Sequence, residues 1–316
     1  MSSTEMSVLA RAEPLMPPFE DHIVTRGYET DFTGTVPMPI VFRFFEHTRW
    51  LMMRDPRLGI VDLVHGGHFF VVREQTIEVL RHLGQGVALV MHTRFDQAGR
   101  STAGVYHELL RESDGALVAR AHVTGVWIGP NRRMARLPDH LRDVARAQAA
   151  ELREHPPTPH RPAAQPRARG IATSFFEPPE VVHPGLGLDV SPPAGPPPAG
   201  AFTHEVVVPP RELDIFSHVN AATWLSYCDD ARHAGAASGA LPHDLGAGGY
   251  NVRSAILYRR EAVVGDRLTV HAWRLPDAPR AVAFAIQRGD EADPLCVARI
   301  DTEPGAVAIS APLDGT

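Results

Sequence analysis

Lysine is missing altogether, since all 31 basic residues of this 316-residue chain are arginine. That excludes a lysine Schiff base and the lysine of a phosphate-binding P-loop, and with the load of Ala, Pro and Gly it suggests a high-GC coding bias. Cysteine is nearly absent: Cys228 and Cys296 are the only two, which rules out a disulfide framework and a CxxC zinc site. Neither thiol is an obvious nucleophile. No Gly-x-Ser-x-Gly elbow occurs, so the α/β-hydrolase route to ester chemistry is closed. No apolar run approaches the ~20 residues of a membrane span, and the opening Met1–Arg11 lacks a basic-then-apolar signal pattern. The expectation is a cytoplasmic chain without a membrane partner. A formal charge of −6 with no basic block makes nucleic acid a poor partner. His65-Gly-Gly-His68 has no carboxylate or thiol close by, so no metal or other cofactor is expected.

What the chain does contain is a repeat. Glu29-Thr-Asp31-Phe-Thr-Gly34-Thr-Val36 is followed by an apolar run with Phe44, Phe45, Glu46 and Arg49. Glu212-Leu-Asp214-Ile-Phe-Ser-His218-Val219-Asn220 is followed by one with Trp224, Tyr227, Cys228, Asp229 and Arg232. From aspartate to acid the spacing is 15 residues in both, and from aspartate to arginine it is 18 in both. The match continues through Glu78–His92 against Leu257–His271, where Gly86 and Gly265 each precede an apolar strand, and through Leu117-Val-Ala-Arg120 against Cys296-Val-Ala-Arg299. One unit has been duplicated. Each copy reads as a turn with an aspartate, one long helix and several antiparallel strands.

Between the copies the composition changes. Thirteen of the 29 prolines lie from Pro156 to Pro198, which favours extended chain. The division is an N-terminal domain at 1–147, a proline-rich linker at 148–200 and a C-terminal domain at 201–316. Within the linker, Ile171–Val181 is apolar enough to dock on a neighbouring surface.

Prolines 37 and 39 suit a helix's first turn, and Asn220 suits an N-cap, so helices are expected over 38–53 and 221–237. Both are apolar on most faces, as befits helices enclosed by a sheet. The acid and arginine at i, i+3 are expected to pair structurally at an exposed edge, worth about 0.2–0.5 kcal/mol.

These motifs resemble the hotdog-fold thioesterases, in which a curved antiparallel sheet wraps a central helix. The first copy is similar to the 4-hydroxybenzoyl-CoA thioesterase type, whose Asp-x-Asp-x-x-Gly-x-Val motif falls on Glu29–Val36. The second is similar to the acyl-ACP thioesterases, themselves double hotdogs, through Asp214, His218, Val219, Asn220 and the strand Tyr258-Arg-Arg-Glu261. Together the matches cover roughly 20–140 and 201–305. Two departures stand out: the family's asparagine is Phe216 here and its cysteine is Ala262.

The resemblance implies an α+β, tandem double-hotdog fold and hydrolysis of an acyl thioester on coenzyme A or acyl carrier protein, in fatty-acid or polyketide metabolism. The two copies would form a pseudo-dimer within one chain, with further homo-oligomers open. Asp214, His218, Asp31 and Glu261 are the catalytic candidates, and Asn220, Thr35 and Phe216 the substrate-binding ones. A carboxylate just before a helix N-terminus is well placed, because the helix end offers unpaired N–H groups to a developing oxyanion. Histidine stands beside the aspartate only in the second copy, so that copy is expected to carry most of the activity. A hotdog hydratase or dehydratase using His218 with Glu261, transfer to another acceptor, and a non-catalytic acyl-thioester binder are the alternatives.

Overall fold

Alternation decides the strands. In β4 (Ala88–Ala98), Leu89, Met91, Thr93 and Phe95 are buried while the residues between them are partly exposed, the period of a sheet with one face packed and the other wet. The computed structural model describes residues 16–155, 180–246 and 248–304. The first copy supplies β1 (Phe19–Val24), β2 (Phe69–Val79), the short β3 (Arg81–His82), β4, β5 (Thr102–Arg111) and β6 (Leu117–Ile128). The second supplies β8 (Phe202–Val207), β9 (Gly249–Tyr258), β10 (Arg267–Leu275), β11 (Ala278–Arg288) and β12 (Cys296–Pro304), after a two-residue β7 (Val181–Val182).

Ten of these strands form one antiparallel sheet in the order β1-β4-β5-β6-β2-β9-β12-β11-β10-β8. Read outward from the centre, the two halves have the same order of equivalent strands. They join where β2 pairs with β9 from Glu74↔Leu257 to Glu78↔Arg253. This is a double hotdog, α+β in class, and the two copies form a pseudo-dimer through a shared sheet.

The enclosed helices are α1 (Met38–Met53) and α4 (Ala221–Ala237), with the expected bounds. Pro37 is the N-cap of α1, and Asn220 caps α4 by accepting the Ala222 N–H at 2.9 Å. One buried cluster runs through both halves, with Phe42, Phe45 and Leu109 from the first and Leu225, Phe284 and Ile300 from the second. A second lies under the short α2 (Ile60–His65) and α3 (Asp139–Glu154), joining Met52, Phe95, Trp127 and Leu141. Leu141, Ala145, Gln148 and Ala149 form the buried face of α3, at the spacing of an amphipathic helix. No helix among the described residues is long and apolar enough to cross a membrane.

The boundary expected at 147 needs correction, because α3 continues to Glu154. Gln148 is what holds it there: its side chain accepts the Phe95 N–H at 2.8 Å, at the bulge between Phe95 and Gln97, and donates to the Met16 carbonyl. Residues 171–179 lie outside the described part. From Glu180 the chain is strapped to the first copy: Glu180 accepts Arg81 at 2.7 Å and Arg111 at 2.9 Å, and β7 pairs with β3.

Candidate active site

The two aspartate turns are built alike. Asp31 N–H donates to the Thr35 carbonyl at 3.0 Å and Asp214 N–H to the His218 carbonyl at 2.8 Å. Asp31 Oδ1 accepts the Thr33 N–H, and Asp214 Oδ1 the Phe216 N–H, both at 2.8 Å. Gly34 and Ser217 occupy the same left-handed position at φ 75° and 66°. Each turn is moored to its sheet at the next valine, with Val36 N–H on the Leu83 carbonyl at 2.8 Å and Val219 N–H on that of Ala262 at 2.9 Å. Ala262 is fully buried, and its backbone carbonyl, not its side chain, makes this mooring.

Around the second turn the chain is open. A cavity of about 730 Å³ is lined by Asp214, Phe216, His218 and Glu261 from the second copy. It continues into the first copy between α1 and the sheet, along Met52, Ile60, Phe95, Val105 and Val123. Asp214 Oδ1 also accepts the His218 N–H at 3.2 Å, which leaves Oδ2 for chemistry. His218 Nε2 is 2.9 Å from Glu261 Oε2, so two residues on different elements are brought into one pair. Phe216 stacks on Phe69 with centroids 5.0 Å apart and lies 6.2 Å from Trp50. The ring that replaces asparagine thus forms an apolar wall shared by both copies. Asn220 does not line the cavity; it caps α4 and donates from Nδ2 to Glu46 Oε1 at 2.6 Å.

That last bond overturns the expected pairing of acid and arginine on α1. Arg49 is buried, not at an exposed edge, and has no ion pair with Glu46; Arg49 Nη1 and Glu46 Oε2 are buried without partners among the described residues. Both side chains line the cavity. Burial lowers the Arg49 pKa against the pull of Glu46 and Tyr258. In α4 the equivalent pair does close, with Arg232 on Asp229 at 2.8 Å, the arginine buried and the aspartate partly so. The sequence placed these four residues in the repeat but gave no sign that one pair faces a cavity.

Around the first turn there is almost no space. Asp31, Thr35 and His82, the counterpart of Glu261, border a pocket of about 20 Å³ together with Asp229, His233 and Tyr250. Tyr250 lies 4.7 Å from the His82 ring, and His183 from the interdomain segment packs edge-on to His82 at 5.1 Å. Burial pushes the His82 pKa down to about 3, helped by His183, and that of His183 down to about 4. The site is plugged by neutral rings. The two thiols are also buried, which pushes both pKa values up, so neither is a ready nucleophile.

An enclosed helix served by an aspartate turn, twice over in one sheet, defines the class as a tandem double hotdog. Residues 25–145 match the family described as the thioesterase-like superfamily. A chloroplastic acyl-acyl carrier protein thioesterase of Arabidopsis thaliana is 26% identical over 125 residues, 39% of this chain, and the chain spans only 65% of that relative's length. Among solved structures, an acyl-ACP thioesterase from Bacteroides thetaiotaomicron superposes over 90% of this chain and 97% of its own, with TM-score 0.65 at 14% identity. The 12:0-ACP thioesterase from Umbellularia californica superposes over 91% and 97%, with TM-score 0.65 at 13% identity. The first copy is thus similar to the thioesterase-like superfamily, and the chain has the fold of these two solved enzymes along nearly its whole length.

Proposed function

We propose that the protein is an acyl-thioester hydrolase that releases an acyl chain from acyl carrier protein or coenzyme A in the cytoplasm, in fatty-acid or polyketide metabolism. One observation carries this reading: of two near-identical aspartate turns, the one with histidine opens on a cavity of about 730 Å³ and the other on about 20 Å³. The apolar part of the large cavity suits an acyl chain. The thioester would sit at the N-terminus of α4, where the helix dipole and N–H groups stabilise the oxyanion.

Asp214 then acts through Oδ2, either removing a proton from the attacking water or attacking the carbonyl carbon itself. The tetrahedral intermediate collapses by breaking the C–S bond; in the second route this leaves an acyl-aspartyl anhydride, which water then cleaves to the free acid and the regenerated carboxylate. His218, paired with Glu261 through Nε2, is the candidate donor of the proton that the leaving sulfur takes up. Asn220 is a positioning residue that locks α4 to Glu46. Asp31 and Thr35 serve the fold of the closed copy.

The His218–Glu261 contact of 2.9 Å is also what a hydratase would use, and the assay distinguishes the two. Purified protein is incubated with acyl and enoyl thioesters in the presence of a thiol-trapping reagent. Release of thiol supports hydrolysis, loss of the enoyl absorbance without thiol means hydration, and neither change means binding alone.

A further inference from the structure

The interdomain segment enters the closed site in a definite order. On the outside, Glu180 bridges Arg81 at 2.7 Å and Arg111 at 2.9 Å. Val181 and Val182 then pair with His82 and Arg81, and the His183 N–H donates to the Leu80 carbonyl at 2.8 Å, which brings its ring edge-on to His82. From outside to inside this is an anion, a stretch of extended amides and a group that fills the pocket.

The duplication identifies the same places in the open site. Arg81 and Arg260 each lie five residues before the matched glycine, Gly86 or Gly265. Arg111 and Arg288 pair across their ladders with Leu89 and Leu268, each three residues after that glycine. Leu80, Arg81 and His82 therefore correspond to Arg259, Arg260 and Glu261. In the open copy no strand covers this segment: among the described residues, the Arg259 and Glu261 carbonyls and the Glu261 N–H make no backbone hydrogen bond. An uncovered strand edge of this kind can take up an extended, amide-bearing chain.

These three residues are exposed, and with Arg288 they line the cavity that holds Asp214 and His218. Arg260 and Arg288 share Glu291 at 2.6 and 2.8 Å, as Arg81 and Arg111 share Glu180. Arg259, a leucine in the other copy, has no carboxylate partner among the described residues. Exposed ion pairs contribute little, so a phosphate, which arginine binds through several N–H groups at once, can add to Arg259 and compete with Glu291.

We propose that the open site takes the phosphopantetheine arm of its substrate along this edge, with the arm's amides on the Arg259–Glu261 backbone and its phosphate on Arg259, Arg260 and Arg288. The segment from Glu180 to His183 is then a resident mimic of that arm in the closed copy. His183 meets His82, the counterpart of Glu261, so the same course in the open copy brings the thioester to the His218–Glu261 pair. The identity of the arm rests on the thioesterase reading; coenzyme A and a carrier protein both supply it.

Binding tests this separately from hydrolysis. S-octyl phosphopantetheine, a thioether that cannot be hydrolysed, is titrated calorimetrically into the full-length protein beside the same thioether without phosphate and one with both amide N–H groups replaced by ester oxygens. The parent compound should bind at least about tenfold tighter than either. Arg259→Gln should reduce the advantage of the phosphate to within about threefold and leave that of the amides intact. Thermal melting checks the variant's fold, and the native ratios stand without it. S-octyl coenzyme A separates the two sources: affinity equal to the parent's means that the arm alone is read, as on a carrier protein, and tighter binding means that the nucleotide is read as well, the proposal standing in both cases. Equal binding of the three thioethers, binding of none, or a phosphate advantage untouched by Arg259→Gln in a folded variant overturns it. The expected preferences in a protein that releases no thiol from acyl thioesters would keep this inference and sink the hydrolase reading.

Discussion

Replacing Asp214 by asparagine removes one negative charge and one acceptor oxygen while sparing the turn. The asparagine Oδ1 still accepts the Phe216 and His218 N–H groups, at 2.8 and 3.2 Å in the native chain. Each such bond is worth about 1 kcal/mol net, so the variant should unfold within about 1 kcal/mol of the native protein. What it loses is the base or nucleophile, typically ~10²–10⁴-fold in rate. At 1.36 kcal/mol per factor of ten, that is about 3–5 kcal/mol of barrier. The loss should fall on kcat, with KM little changed. Asp31→Asn makes the same chemical change in a turn of the same backbone design, where Oδ1 accepts the Thr33 N–H and hydroxyl, yet its pocket of about 20 Å³ cannot admit a thioester, so turnover should be unaltered. Steady-state thiol release and urea unfolding on both variants measure the two effects. Near-normal turnover in Asp214→Asn, with activity abolished in Asp31→Asn, would move the site to the first copy and refute the assignment from cavity size.

His218→Ala should impair turnover nearly as much as Asp214→Asn, and the double variant should be little worse than either, since the two act as a unit; additive losses in kcat would make His218 a turn brace only. Acid should weaken the fold through His82 and His183, whose pKa values burial lowers to about 3 and about 4. The unfolded chain, with ordinary values near 6.5, then binds the extra protons, so this contribution is intact above about pH 6.5 and declines as pH falls toward 4 by ~1.4 kcal/mol per pH unit for each ring. Urea midpoints at pH 7 and pH 5 should differ for the native protein and differ less for His183→Phe; an unchanged difference would show that the ring pair is not the source. Gly34→Ala, at φ 75°, should destabilise by about 1–2 kcal/mol, whereas Ser217→Gly relieves the same strain at a similar entropic cost and should be close to neutral by thermal melting.

The fold was legible because the duplicated signals are local. Two spacings from aspartate to helix, the prolines before α1 and the N-cap Asn220 set both helices to the residue, and matched glycines and strands gave the second half from the first. The site was legible only in part. Asp214, His218, Phe216 and Glu261 do converge on one cavity, since all four lie in the turn or in the strand end that moors it. Glu46 and Arg49 were visible as a helical pair and misread, because an i, i+3 spacing says that two side chains share a face and nothing about what that face meets. In the sequence only the histidine beside Asp214 separates it from Asp31; in the structure what closes the first site is bulk from elsewhere, Tyr250 on β9 and His183 within the proline-rich segment, neither of them near Asp31 in sequence.

In each half the aspartate turn faces the other copy's helix. Asp214 shares its cavity with Glu46 and Arg49 of α1, and Asp31 shares its pocket with Asp229 and Arg232 of α4. In a symmetric dimer of identical chains both sites would have to be the same. Fusion removes that constraint, and the two sites have used it in opposite ways. In the closed one, Arg232 is fully engaged by Asp229 and by carbonyls, Asn251 donates to Asp229 at 2.7 Å, and the strap from Glu180 carries His183 over His82. Its polar groups contribute to stability and leave nothing for a ligand. In the open one the same positions, Glu46 and Arg49, are not paired with each other and line a channel that is apolar through Met52, Ile60 and Phe95. The division of labour follows from that difference: the closed site is filled by its own side chains and braces the shared sheet, and the open site keeps a cavity of about 730 Å³ beside its aspartate turn.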